Sequence, residues 1–272
     1  MDVIPVTIER RGFLQTSRRD AWWVTPAAIF IGLGLFVVYA TWAAFQNAHY
    51  TYGPYLSPFY SPVIWASPGD AGGLAHALLG AKPDWIPAAI PFSPALLILP
   101  FPGLFRFTCY YYRGSYYKSF WADPPACAVG EPRQGYWGEN TFPLVLQNIH
   151  RYFMWVAVIF IAILSYDVWL ATRFPNADGT TSFGIGLGTV ILAVNVVLLA
   201  CYTLGCHVFR HVVGGAHDEV SKHPMCDRAY ACSTSLNYRH QMFAWLSLFS
   251  VAFSDVFVRL CSMGIWSDWR FL

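Results

Sequence analysis

Charge is what this sequence has least of. Asp, Glu, Lys and Arg make up 12% of 272 residues, about half the share of a soluble domain. The net charge of +2 comes with no basic block of the kind that binds nucleic acid. A cleavable leader is lacking as well. The first 20 residues are polar, include Arg10, Arg11, Arg18 and Arg19, and hold no short apolar run ahead of the first long hydrophobic segment. No internal repeat, low-complexity tract, Gly-rich phosphate loop or nucleophile–base constellation is visible. These absences exclude a soluble enzyme, a nucleotide-cradling protein and a nucleic-acid partner.

Apolar and aromatic residues are present in excess. Hydrophobic residues reach 56% and aromatics 18%, with 12 Trp, 16 Tyr and 21 Phe, a surplus suited to membrane–water interfaces. The uncharged stretch Ala21 to Phe45 is too long for a signal segment and long enough to span a bilayer. Four more spans follow, giving helices at about 21–45, 87–110, 146–172, 183–208 and 239–266. The second carries Pro91, Pro94, Pro100 and Pro102, which predict a kinked helix whose freed carbonyls find partners inside the bundle. The fold expected is an all-α integral membrane bundle: a polar segment 1–20, then a five-helix domain 21–272.

Five spans place the N-terminus and the 110–147 and 209–238 loops on one side. That side, with the flanking helix ends that carry Arg106, Arg151 and Arg239, holds thirteen of the seventeen basic residues, so the positive-inside rule puts the N-terminus in the cytoplasm and the C-terminus outside. Loop 46–86, rich in Pro, Gly and Tyr, then caps the outer mouth. It holds no cysteine, and most cysteines face the reducing side, so no disulfide is expected.

Sorted by depth, the potential ligands fall into one layer. His150 and His240 open the third and fifth helices; Cys206, His207 and His211 close the fourth; Cys109 closes the second; Cys127 lies in the adjacent loop. One such residue is more often an interfacial donor or apolar filler, but four histidines and three cysteines at one depth point to a metal or redox centre. A haem b would take two facing histidines, and two haems would need an outer His pair that the sequence lacks. A Rieske-type [2Fe–2S] cluster takes two His and two Cys, which accounts for both residue types. The set expected is His150 with His240 or His211, and two of Cys109, Cys127 and Cys206; a single haem b is the alternative. Cys206 and His211 point about 140° apart on a continuous helix, so helix four offers one cluster only one of them.

Arg106, Tyr110 and their tyrosine-rich neighbours read as an interfacial belt or, with Trp155 and Trp245, as a quinone pocket. In the outer half, Asp255 and Arg259 stand four apart and can pair on one helix face. That pair, with Asp167, reads first as bundle-stabilising and second as a proton path to the outer side. A transporter reading finds no repeat symmetry to support it.

Six strings carry a family resemblance: Thr108-Cys-Tyr-Tyr-Tyr-Arg113, Pro124-Pro-Ala-Cys-Ala-Val129, Gln147-Asn-Ile-His-Arg-Tyr152, Leu204-Gly-Cys-His-Val-Phe-Arg-His211, Ser221-Lys-His-Pro224 and Leu236-Asn-Tyr-Arg-His-Gln241. In this order, over roughly residues 95 to 272, they resemble the actinobacterial succinate dehydrogenase membrane anchor of the single-subunit, five-helix type. The resemblance implies a plasma-membrane subunit on whose cytoplasmic face flavoprotein and iron–sulfur subunits dock. It also implies passage of electrons from succinate to menaquinone, with a trimer of such complexes as one assembly it allows. Many members of that family carry two b haems; this sequence departs from them by lacking the outer His pair.

Overall fold

A computed structural model describes residues 12–66, 71–85, 93–123, 128–130, 141–142, 144–176, 178–215 and 217–272. Among the described residues, four helices are long and apolar enough to cross a membrane: α1 (Val24–Gln46), α6 (His150–Leu170), α7 (Leu187–Leu204) and α10 (His240–Ser262). They differ from soluble helices in being apolar all round. Val38, Val197, Ile159 and Phe249 are exposed on them, a surface stable only against lipid.

The proline-rich span is broken, as its sequence demands. Its described part consists of α3 (Pro94–Ile98) and α4 (Pro100–Thr108), continued after Cys109 by α5 (Tyr110–Phe120). Pro100 and Pro102 have no N–H to return to the preceding turn, and Leu99 interrupts the helix between them and Pro94. The pair α3–α4 is shorter than the other spans; residues 87–92, the start of the expected span, lie outside those described.

The chain divides into two compact units. In the first, residues 1–35 and 107–148, Phe30 of α1 packs on Phe120 of α5 with ring centroids 4.7 Å apart. An isolated bridge joins Thr16 to Val129. The second unit, residues 36–106 and 149–272, holds α6, α7 and α10, with α7 packed most extensively on α10 and next on α6.

One end of this second unit is tied by hairpins. Strands β1 (Thr51–Tyr52) and β2 (Tyr55–Leu56) pair antiparallel, as do β3 (Arg173–Pro175) and β4 (Thr181–Phe183) between α6 and α7. The C-terminal tail closes over them: Leu187 N–H donates to Trp269 O at 2.8 Å and Phe271 N–H to Ile185 O at 2.8 Å. Tyr55 Oη donates to Asp268 Oδ2 at 2.7 Å, and Asp268 Oδ1 accepts from Gly188 N–H at 2.9 Å. This approach leaves no room beside Gly186, where a Cβ would stand 2.3 Å from both Asp268 Oδ2 and Tyr55 Oη. The segment 46–86, expected as an irregular cap, contains β1–β2 and the short helix α2 (Ala71–His76).

The fourth span ends earlier than the sequence suggested. Residue 183 is in β4, α7 stops at Leu204, and the chain turns at Gly205 into a separate helix, α8 (His207–Gly214). The region 209–238, expected as a loop, is largely helical, with α9 (Pro224–Tyr238) laid against the end of α7. There Ser233 Oγ donates to Leu204 O and Asn237 Nδ2 to Gly205 O, both at 2.7 Å. These bonds satisfy carbonyls that a helix C-terminus otherwise leaves open. Each contributes about 1 kcal/mol net.

Candidate functional site

The turn at Gly205 decides where Cys206 goes. As the residue capping α8, Cys206 leaves the α7 trajectory and is buried, with its Sγ 3.2 Å from His150 Nε2 at the start of α6. The azimuthal argument that set Cys206 against His211 assumed one continuous helix and does not apply across this break. His211 instead pairs with His207, Nε2 to Nε2 at 3.0 Å, on the exposed side of α8. Partial burial, then the neighbouring His211 and Arg210, lower the His207 pKa.

His150 and His240 are joined through two aromatic rings. Phe105 of α4 stacks on His150 with centroids 4.7 Å apart and planes 6° from parallel. It meets Tyr202 of α7 edge-on at 5.6 Å, and Tyr202 stacks on His240 at 4.8 Å. The guanidinium of Arg106 lies 4.6 Å above the Tyr202 ring, at cation–π range. Arg106 is held there by Ala244 O at 3.0 Å and Ser247 Oγ at 2.8 Å, both on α10. Ala244 is small enough to let α4 come this close, and it is fully buried.

A cavity of about 390 Å³ opens against this cluster. Phe105, Arg106, Tyr202 and Thr203 line it near the histidines; Leu164, Leu199 and Val251 line it further along α6, α7 and α10. Its wall is otherwise mostly apolar, with Arg106 the one charged lining residue among the described residues. That is the composition of a small-molecule site with one polar anchor.

The residues singled out from sequence therefore separate. His150 and Cys206 meet, His240 is linked to them through Tyr202 and Phe105, and Arg106, over the Tyr202 ring, lines the cavity. Cys109 is buried where α4 gives way to α5. Tyr110 is exposed on α5, Trp155 is exposed on α6, and Trp245 stacks on Phe249; neither tryptophan lines the cavity. Cys127 lies outside the described residues. Among the described residues no three His, Cys, Asp or Glu side chains gather closely enough to hold a single metal ion. Sequence reasoning did not name Phe105 or Tyr202. Both stand beside a named residue, and a stacking role leaves no mark on spacing.

Fold and site together define a multi-pass membrane subunit with an apolar internal cavity against a buried imidazole, thiol and aromatic cluster. Residues 24–264 match the family of the actinobacterial succinate dehydrogenase subunit SdhC, and the chain belongs to that family. It is the membrane anchor subunit of a succinate dehydrogenase. Among solved structures, a chain of the Mycobacterium smegmatis Sdh1 complex in the apo form is 43% identical. That match has a TM-score of 0.83 and covers 94% of each chain. Among curated proteins no match is found.

Proposed function

We propose that this anchor carries electrons from a docked iron–sulfur subunit to a menaquinone-type quinone bound in the cavity. The observation that carries the reading is the junction itself: the apolar cavity meets Arg106 and Tyr202, and Tyr202 stacks directly on His240 and continues through Phe105 to His150 and Cys206. An isoprenoid tail suits the apolar wall, and the Arg106 guanidinium suits a quinone carbonyl, whose charge rises on reduction.

We take the centre to be a Rieske-type [2Fe–2S] cluster on the residue types alone, two His and two Cys. His150 and His240 would supply imidazole nitrogens and Cys206 a thiolate; on the sequence reading, Cys109 or Cys127 supplies the second. When bound, such a cluster passes one electron at a time. The protein's own part is to bury these donors, exclude water from them and fix the quinone head through Arg106. In this reading the His150 end of the bundle faces the cytoplasm and the other succinate dehydrogenase subunits, as the thirteen basic residues of that side support. The similarity to a chain of the Sdh1 complex supports the same association.

The test is made on the purified complex. Arg106→Leu is expected to lower succinate-to-quinone turnover about 10- to 100-fold while reduction of a soluble artificial acceptor by the catalytic subunits is unchanged. Equal loss in both assays, or loss in neither, would reject the cavity as the quinone site. EPR and optical spectra settle the centre: a low-g signal abolished by Cys206→Ser supports the cluster, and a b-type Soret band requires haem instead.

A further inference from the structure

On α6, α7 and α10 the cavity residues Leu164, Leu199 and Val251 stand seven positions from Ala171, Leu192 and Val258, which share one buried core cluster near the hairpins. Seven positions are two helical turns, so these two sets mark two depths of the second unit. Polar residues fall between them on the same face: Asp167 on α6, Asn195 on α7, and Asp255 on α10, where Ser254 beside it returns its hydroxyl to Ser250 O of the same helix. Each is three or four positions from its cavity residue, hence one turn further toward the hairpin end.

The three are held unlike a purely structural layer. Asp255 is fully buried and accepts from Tyr39 Oη at 2.5 Å, from Ser57 Oγ, and from Arg259 Nε at 3.3 Å. Asp167 accepts from Ser61 Oγ, and no cation pairs with it among the described residues. Asn195 is 1% exposed, yet neither its Oδ1 nor its Nδ2 has a hydrogen-bond partner among the described residues. A bare amide buried in a membrane helix is costly, and water is the small ligand that removes the cost. Pro58 and Phe59, between Ser57 and Ser61, line the cavity, so the two serines that bond Asp255 and Asp167 flank its lining. On the far side Arg259 Nη1 donates to Ala48 O at 2.8 Å. The adjacent His49, exposed, has its Nδ1 3.2 Å from Ser262 Oγ, one turn beyond Arg259. Polar groups thus extend from the exposed hairpin end to Ser57 and Ser61, on either side of the cavity-lining Pro58 and Phe59.

We propose that Asp167, Asn195 and Asp255, with water bound at Asn195, form a proton relay between the hairpin face of the membrane and the cavity. This rests on the reading of the cavity as the quinone site. Reduction of a quinone to its quinol takes two electrons and two protons, and both carbonyl oxygens become hydroxyls. The electrons arrive from succinate through the His150 end; the relay delivers protons from the opposite face. Intramembrane carboxyls facing a bundle interior are the groups that such relays use. The groups facing Asp255 are Arg259, Tyr39 and Ser57; the one facing Asp167 is Ser61.

The experiment uses the whole complex in liposomes with succinate, a short-chain quinone and pH-sensitive dyes in each compartment. Protons are expected to disappear from the compartment facing the hairpins, and Asp167→Asn to slow quinone reduction about 10-fold or more. Asn195→Leu removes the water-binding amide without touching any ion pair. It is expected to slow quinone reduction similarly while leaving the complex at least as heat-stable and the soluble-acceptor assay unchanged; Asn195→Ser restores part of the rate. Wild-type quinone turnover in a folded Asn195→Leu complex would overturn the relay, and so would proton uptake confined to the His150 side. Failure is assignable. If Arg106→Leu abolishes quinone turnover and Asn195→Leu does not, the cavity reading stands and the relay is wrong. If Arg106→Leu has no effect, both fall.

Discussion

At the scale of single residues, the strongest constraint on this fold is a buried charge. The side chain of Arg259 is 4% exposed and that of Asp255 fully buried, so removing either would leave the other an uncompensated buried group. Arg259 also lies over the Trp42 ring at 5.2 Å and bonds Ala48 O, tying the end of α1 to α10. Arg259→Met leaves Asp255 with hydroxyl donors and no cation. The expected loss is about 3–5 kcal/mol, read as a lowered midpoint in thermal unfolding of the purified complex. A shift within the error of the measurement would mean that Tyr39 and Ser57 alone satisfy the carboxylate. This pair was legible beforehand from its i, i+4 spacing. Phe105 and Tyr202 were not, because stacking depends on which helices become neighbours.

At the scale of elements, legibility followed the driving force. The long apolar helices emerged close to their expected bounds because length and hydropathy alone specify them. The fourth was drawn too long at both ends: its start is taken by a hairpin, and its finish by Gly205, where α9 comes so close that a Cβ would stand 3.0 Å from Leu236. Neither event is periodic, so no pattern announces it. The same break moved Cys206 off the helix and made the geometric choice between Cys206 and His211 unnecessary. Close approach also explains the glycines before α7. Gly186→Ala is expected to destabilise by about 1–3 kcal/mol through overpacking against Asp268 and Tyr55. Gly34→Ala in α1, with open space around it, is expected to be neutral or to stabilise by up to about 1 kcal/mol. Thermal midpoints of the two variants, compared side by side, check both.

At the scale of the whole molecule, the apolar surface of the spans has meaning only in lipid. Val38 on α1 is 68% exposed and Val197 on α7 59%; in water such faces would drive aggregation. Val38→Arg places a charge in that surface at a cost of about 2.5–3.5 kcal/mol near the span centre. The expected outcome is a lower yield of assembled complex in the membrane fraction, with little change in the turnover of complexes that do assemble. An unchanged yield would place Val38 near an interface or against a partner.

The broken span also bears on how the molecule is made. A segment of fifteen residues with prolines at 94, 100 and 102 is a poor substrate for insertion as a free-standing helix, because its open carbonyls would meet hydrocarbon. Its first part packs on chain synthesised before it: Ala95 packs with Ala43, Ala44 and Phe59, and Ser93 Oγ donates to Ala44 O. Phe105 and Arg106, at its other end, find their partners only when α6, α7 and α10 have followed. Biogenesis, rather than catalysis, is where a defect in the 43–60 region should first be felt.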